Sequence, residues 1–113
     1  MRFHHYGIEV NNLEESIAFY KKHMGLPEES RIFFMGEELV FLATNDFRIE
    51  LISNQHETKN HHLCFEVVDL NEVMNGFDSN KKIEGPYKLQ NGWKTVFYEG
   101  PNQEVIEFLQ VKP

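Results

Sequence analysis

Two histidines and two glutamates occupy matching positions in the two halves of this sequence. His5 and His62 are 57 residues apart (62 − 5 = 57), and Glu50 and Glu107 are separated by the same interval. Imidazole nitrogens and carboxylate oxygens together suit a divalent first-row cation with room for water in its shell. Two carboxylates also neutralise the charge of such an ion. The pattern predicts one divalent metal held by all four side chains.

The same interval relates other segments of the two halves, which indicates an internal repeat. A shift of 57 places His4-His5, Glu9-Val10 and Ile49-Glu50-Leu51 on His61-His62, Glu66-Val67 and Ile106-Glu107-Phe108. We therefore expect one domain, residues 1–113, made of two βαβββ modules, residues 1–54 and 61–113. The polar stretch between them is typical of a linker.

Hydrophobic periodicity and turn residues predict the elements of each module. In the first, they predict a strand at 3–10, a helix capped by Asn12 and ended by Gly25 and Pro27, and strands at 31–35, 39–44 and 47–53. In the second, they predict a strand at 61–67, a helix after Asp69, a hairpin with a primed turn at Asn91-Gly92, and a last strand at 105–111.

Alternation along the strands predicts which side chains face away from the helices. His5 and Glu50 are predicted on that face in the first module, and His62 and Glu107 in the second. A histidine or glutamate in a strand is more often structural than a ligand, but one shift relating all four favours a metal site. The remaining candidates are expected to be structural or exposed: His4 and His61 on the covered face or edge, Cys64 a small buried side chain, and His23 and His56 exposed. Glu9 and Glu66, two residues beyond the ligand-side positions Gly7 and Cys64, are expected to be exposed, with a place in the lining of a pocket as the alternative.

Composition narrows the class of protein. A net charge of −7 argues against nucleic acid or an anionic membrane as the main partner. A single cysteine allows no internal disulfide, and no signal peptide or membrane span is visible. These features predict a cytoplasmic globular protein.

Four segments resemble the vicinal oxygen chelate superfamily, and within it the bacterial glyoxalase I-like proteins. They are HHYGIEVNNLEESIAFYKKHMGL, FRIELI, HHLCFEVVDL and GPNQEVIEFLQ, and they cover nearly the whole chain. The resemblance implies an α+β fold in which the modules form curved mixed sheets with helices on the outer face. It also implies that His5, Glu50, His62 and Glu107 match the family's four metal-ligand positions.

For function, the resemblance implies a metal-dependent lyase or isomerase of glyoxalase type. Such an enzyme converts the hemithioacetal of a 2-oxoaldehyde and a thiol into a 2-hydroxyacyl thioester. The implied cofactors are one divalent metal (Ni, Co or Zn, with Mn or Fe as further candidates) and a low-molecular-weight thiol. Glu107 is the expected catalytic base and Glu50 a ligand and second base, while Asn54 matches a position that contacts glutathione in relatives.

Two features differ from glutathione-using relatives: the chain is short, and Glu9 stands where they commonly carry an arginine. The alternatives are therefore a transferase, epimerase or dioxygenase on the same scaffold, a non-catalytic binding or resistance protein, and a globular protein whose histidines and glutamates are incidental. The superfamily also implies a homodimer, in which His5 and Glu50 of one subunit meet His62 and Glu107 of the other. Pairing within one chain is the alternative.

Overall fold

Two compact units make up the protein. The computed structural model describes residues 1–112, which divide into a first unit, residues 5–61, and a second unit, residues 1–4 with residues 62–112. The element order is strand, helix and three strands, repeated once, apart from one short 3₁₀ turn. The predicted α+β class and the repeated βαβββ order are confirmed.

The first unit has a mixed sheet in the order β2-β3-β4-β1. Its elements are β1 (Arg2–Val10, of which residues 5–10 belong here), α1 (Leu13–Met24), β2 (Glu28–Phe34), β3 (Glu37–Ala43) and β4 (Arg48–Ser53). Strands β2, β3 and β4 are antiparallel neighbours, whereas β1 and β4 are parallel. The first and last strands of the module therefore lie side by side.

The second unit repeats this arrangement in the order β5-β8-β7-β6. Its elements are β5 (His61–Glu66, of which residues 62–66 belong here), α2 (Leu70–Gly76), a 3₁₀ turn (Ser79–Lys81), β6 (Lys82–Lys88), β7 (Lys94–Glu99) and β8 (Val105–Gln110). Here β5 and β8 are the parallel pair, and the other neighbours are antiparallel. Again the first and last strands of the module are adjacent.

The helices begin at the predicted caps. The Asn12 side chain accepts a hydrogen bond from the Glu15 backbone N–H at 3.0 Å, and Asp69 accepts one from the Asn71 N–H at 2.9 Å. Helix α1 ends at Gly25, whose φ of 64° is left-handed. Among residues 1–112, neither helix has the length and apolar character needed to cross a bilayer.

Each helix covers one face of its own sheet. The buried side chains of the first unit on this face are Leu13, Ile17, Leu26, Val40, Leu42, Ile49 and Leu51. Those of the second unit are Val67, Leu70, Val96, Tyr98 and Phe108. Partly buried side chains of β1 and β5, among them Ile8 and Phe65, pack against the same cores. The four predicted ligands alternate along their strands with these apolar residues and so lie on the opposite faces, as predicted; they are His5, Glu50, His62 and Glu107.

The hairpin at Asn91-Gly92 forms, but its turn differs from the prediction. The Leu89 carbonyl accepts from the Gly92 N–H at 3.0 Å, and the Leu89 N–H donates to the Trp93 carbonyl at 2.7 Å. Of Asn91 and Gly92, only the glycine has a positive φ, 91°. A primed two-residue turn needs positive φ at both positions, so the loop is instead a three-residue one ending in a left-handed glycine.

A two-residue turn occurs where no Asn-Gly pair predicts it, between β2 and β3. Met35 and Gly36 have φ values of 53° and 79°, and they lie between the paired residues Phe34 and Glu37. Positive φ at both central positions defines a type I′ turn. Met35 is exposed and disfavours this backbone conformation, since only glycine, asparagine and aspartate adopt it readily.

Replacing Met35 with asparagine should therefore raise the free energy of unfolding by roughly 0.5 kcal/mol, because Asn-Gly suits a type I′ turn. Urea denaturation measures the change. Gly36→Ala is the reciprocal control and should lower stability by about 1 kcal/mol through backbone strain, since a methyl group there meets no neighbouring atom within 4 Å. Equal stability for the wild type and both variants would contradict this interpretation of the turn.

Candidate functional site

In the first unit, the pairing of β1 with β4 brings His5 and Glu50 together. Gly7 is opposite Glu50 in the parallel register, and His5 lies two residues earlier on the same face. The His5 Nε2 is 3.1 Å from Glu50 Oε1, and the two residues are only 1% and 6% exposed. Phe41, opposite Glu50 on β3, packs edge-on against the imidazole at 5.2 Å between ring centroids.

The second unit builds the same pair from β5 and β8. Cys64 is opposite Glu107, which is the Gly7–Glu50 register moved by 57 residues. The His62 Nε2 is 3.0 Å from Glu107 Oε1, and Phe97, opposite Glu107 on β7, packs edge-on against the imidazole at 5.9 Å. The structure therefore forms two His–Glu pairs of one design, one in each unit.

Thr95 adds a hydrogen bond to the second pair. Its hydroxyl donates to Glu107 Oε2 at 2.5 Å and also lies 3.2 Å from the Phe108 carbonyl oxygen. Thr95 is 1% exposed. No sequence pattern marks Thr95, because its approach to Glu107 depends on how β7 and β8 are aligned.

A tyrosine and a glutamate lie on the edge strand β6 of the same sheet. Tyr87 is opposite Thr95, and Glu84 is opposite Phe97, so both are aligned with residues of the His–Glu face. The Tyr87 hydroxyl donates to Glu84 Oε2 at 3.2 Å. Partial burial and then the neighbouring carboxylate raise the pKa of Tyr87, so it is a neutral hydrogen-bond donor at physiological pH. Nothing in the sequence pattern had marked this pair.

The buried His–Glu pairs have limited chemical options. A carboxylate excluded from water needs a counter-charge, which either a protonated imidazole or a cation supplies. The distances of 3.1 and 3.0 Å within the pairs are those of an imidazole–carboxylate hydrogen bond. An imidazole nitrogen and a carboxylate oxygen that lie this close can also bind one cation together, since both are ligands of first-row metals.

The other histidines and the cysteine have different surroundings. His4 is 5% exposed, and its ring packs against Trp93 at 5.3 Å. His61 is hydrogen-bonded to the Tyr6 hydroxyl. Cys64 is fully buried, as expected for a small core side chain.

Glu9 and Asn54 contact each other rather than standing free. Asn54 Nδ2 donates to Glu9 Oε1 at 2.8 Å, and the Asn60 backbone N–H donates to the same oxygen at 2.9 Å. The Asn54 Oδ1 accepts from the His56 N–H at 2.9 Å. Glu9 and Glu66 are both half-buried, so the expectation that they are exposed is wrong. The Glu9 carboxylate holds the segment that follows β4.

A βαβββ repeat that carries a histidine on the first strand and a glutamate on the last strand of each module is the architecture of the vicinal oxygen chelate proteins. Residues 4–97 match the family described as the Glyoxalase/Bleomycin resistance protein/Dioxygenase superfamily, and the chain belongs to this superfamily. A curated relative, the uncharacterized protein YwbC of Bacillus subtilis (strain 168), is 33% identical over 96% of this chain and 97% of its own length.

Solved structures share the fold at low sequence identity. A hypothetical protein, BH1468, from Bacillus halodurans C-125 is similar with a TM-score of 0.81 and 20% identity, covering 99% of this chain and 95% of its own. The methylmalonyl-CoA epimerase from Mycobacterium tuberculosis is similar with a TM-score of 0.80 and 19% identity, covering 99% and 89% respectively. At these identities the likeness confirms the predicted fold alone.

The Glu9 contacts lead to a stability prediction. Glu9→Ala removes the acceptor shared by Asn54 and Asn60 and should lower the free energy of unfolding by about 2 kcal/mol. Hydrogen exchange of the Asn60 amide should quicken as well. The repeat supplies a control in Glu66→Ala, whose partner Arg2 has a side chain 77% exposed, and the expected loss is below about 0.5 kcal/mol. Similar losses for both variants would argue against a special role for Glu9.

Proposed function

We propose that His5, Glu50, His62 and Glu107 together bind one divalent cation, and that the protein uses it as a glyoxalase-type lyase or isomerase. The observation that carries the proposal is the repetition of one buried His–Glu pair, with the same strand register, in both units. A single structural ion pair would need no second copy, whereas a four-ligand metal centre needs two donors beyond one His–Glu pair, and the repeat provides them.

The donor set fits a first-row metal. Two imidazole nitrogens and two carboxylate oxygens suit nickel, cobalt or zinc, with manganese or iron as further candidates, and leave room for a substrate to supply oxygens. Members of the superfamily commonly bind a divalent metal. Following the superfamily, we also propose a homodimer, in which a centre takes its two His–Glu pairs either from two subunits or from one chain.

The proposed reaction moves a proton between two neighbouring carbons. When bound, the cation polarises two adjacent substrate oxygens and stabilises the charge left by proton removal. Glu107 takes the proton from the carbon that bears the thiol and returns it to the former carbonyl carbon, giving a 2-hydroxyacyl thioester without any external oxidant or reductant. Phe41 and Phe97 flank the two imidazoles and limit the access of water.

The contacts of Asn54 limit the charge that the proposed thiol co-substrate can carry near this residue. Asn54 stays the proposed contact for this co-substrate, but its amide already binds Glu9 and the His56 N–H. The Glu9 carboxylate would repel a negatively charged group placed beside it. We therefore propose a thiol that presents no carboxylate at this position, in contrast to glutathione.

An epimerase is the second candidate, because several solved structures of this fold are methylmalonyl-CoA epimerases, one of them from Streptomyces coelicolor in complex with 2-nitronate-propionyl-CoA. Racemisation next to a thioester carbonyl needs the same proton removal beside a polarised oxygen. The two candidates differ in substrate rather than in the role of the buried carboxylates, so a substrate panel distinguishes them.

The first prediction from this proposal concerns metal content. Tag-free protein, analysed by elemental mass spectrometry after reconstitution with nickel or zinc salts, should hold one ion for each set of four ligands. His5→Ala and His62→Ala should each reduce occupancy strongly, since each removes one of four donors. His56→Ala, which changes an exposed histidine, is the matched control and should bind as the wild type does.

A mixture of subunits tests whether two subunits share the site. In dimers that combine one His5→Ala subunit with one His62→Ala subunit, sharing between subunits leaves one of the two centres intact, and metal binding returns in part. No recovery in verified mixed dimers would place the four ligands within one chain. No metal in the reconstituted wild type would exclude the metal centre itself.

The second prediction concerns turnover. The metal-loaded protein should isomerise the hemithioacetals of methylglyoxal, faster with a neutral thiol such as 2-mercaptoethanol than with glutathione. Glu107→Gln should lower kcat by about 100-fold or more, because an amide cannot accept the proton. Proton exchange at the substrate carbon of methylmalonyl-CoA, without hemithioacetal turnover, would favour the epimerase instead. Full turnover by Glu107→Gln would exclude Glu107 as the base.

A further inference from the structure

The two carboxylates of the repeat differ in what lies beside them. Phe41 is opposite Glu50, and Phe97 is opposite Glu107, so these phenylalanines are structural counterparts. On β3, Leu39 lies two residues before Phe41 and on the same face, and on β7, Thr95 lies two residues before Phe97. Both are buried, at 7% and 1% exposure. The hydroxyl beside Glu107 is thus replaced by a hydrocarbon side chain beside Glu50.

An alignment of the two halves of the sequence at the interval of 57 does not show this difference. The interval of 57 would match Thr95 with Glu38 (95 − 57 = 38). The registers show instead that Phe97 and Glu107 are 10 residues apart (107 − 97), whereas Phe41 and Glu50 are 9 apart (50 − 41). The connection between β7 and β8 is one residue longer, which makes Leu39 the true counterpart of Thr95.

We infer that Thr95 is a positioning residue that fixes the orientation of Glu107 for metal binding, an inference that rests on the proposed function. Its hydroxyl donates to Glu107 Oε2 at 2.5 Å, and Glu107 Oε1 is the atom 3.0 Å from His62 Nε2, so Oε1 would be the ligating oxygen. The one hydroxyl proton goes to Oε2, the nearer acceptor, since the Phe108 carbonyl oxygen is 3.2 Å away. Hydrogen bonds to the outer atom of a ligand hold the ligand in one orientation and raise metal affinity.

A purely structural role predicts a different outcome from the same substitution. If the hydroxyl served only the packing and hydrogen bonding of the strands, its loss would lower stability without changing metal affinity. If it orients Glu107, its loss weakens metal binding in protein that is still folded. Metal affinity and thermal unfolding measured on the same samples separate the two roles.

The test compares full-length Thr95→Val, Thr95→Ser and Leu39→Val with the wild type. Zinc affinity is measured by competition with a chromophoric chelator, and folding is checked by circular dichroism and thermal unfolding. Thr95→Val, which keeps the shape and removes the hydroxyl, should bind zinc about 10- to 100-fold more weakly. Thr95→Ser retains the hydroxyl and should bind as the wild type does. Leu39→Val, the matched change beside Glu50, should leave affinity unchanged.

Wild-type affinity in folded Thr95→Val would overturn the inference and leave the metal centre in place. If Thr95→Val does not fold, Thr95→Ala provides the same comparison with a smaller side chain. Absence of zinc binding in the wild type would instead exclude the proposed metal centre, and with it the role of Thr95. Weak binding by Thr95→Val together with recovery in Thr95→Ser would support the inference.

Discussion

The parallel pairing of the first and last strands of each module is the constraint on which the site depends. It places a histidine on one strand within 3.1 Å or less of a glutamate on the other, on the face that the helix does not cover. Neither side chain tolerates burial alone, because an imidazole and a carboxylate both lose hydration there. Each needs the other or a cation, so the strand register and the chemistry of the pair are linked.

The repeat makes the two pairs equivalent in register but not in environment. An edge-on phenylalanine flanks each imidazole. A hydroxyl from β7 donates to Glu107, whereas the equivalent position on β3 is a leucine, paired with Ile52. The difference is one of residue type at equivalent strand positions, leucine two residues before Phe41 and threonine two residues before Phe97. A duplicated scaffold can thus keep two ligand pairs alike while adapting each carboxylate to a different task, since second-shell donors control how a ligand is held.

The acidic character of the chain also extends close to the site. Glu9 lies four residues after His5 on β1, and its carboxylate accepts hydrogen bonds from the Asn54 side chain and the Asn60 backbone N–H. The Glu84–Tyr87 pair lies on β6, the edge strand of the second unit. In the first unit, Arg31 is surrounded by three carboxylates and so is not free to bind an anion. These carboxylates would repel a negatively charged group placed beside them.

Much of this architecture follows from the sequence itself. Strand alternation and the interval of 57 residues determined the element order, the covered faces and the two pairs, because side-chain direction in a strand has a fixed period and the repeat tests it twice. Only the tertiary structure decided the turns at Met35-Gly36 and Asn91-Gly92, the Glu9 contacts with the linker, and the approach of Thr95 to Glu107. These depend on the backbone angles of single loop residues and on the alignment of strands distant in sequence, and no local pattern encodes either.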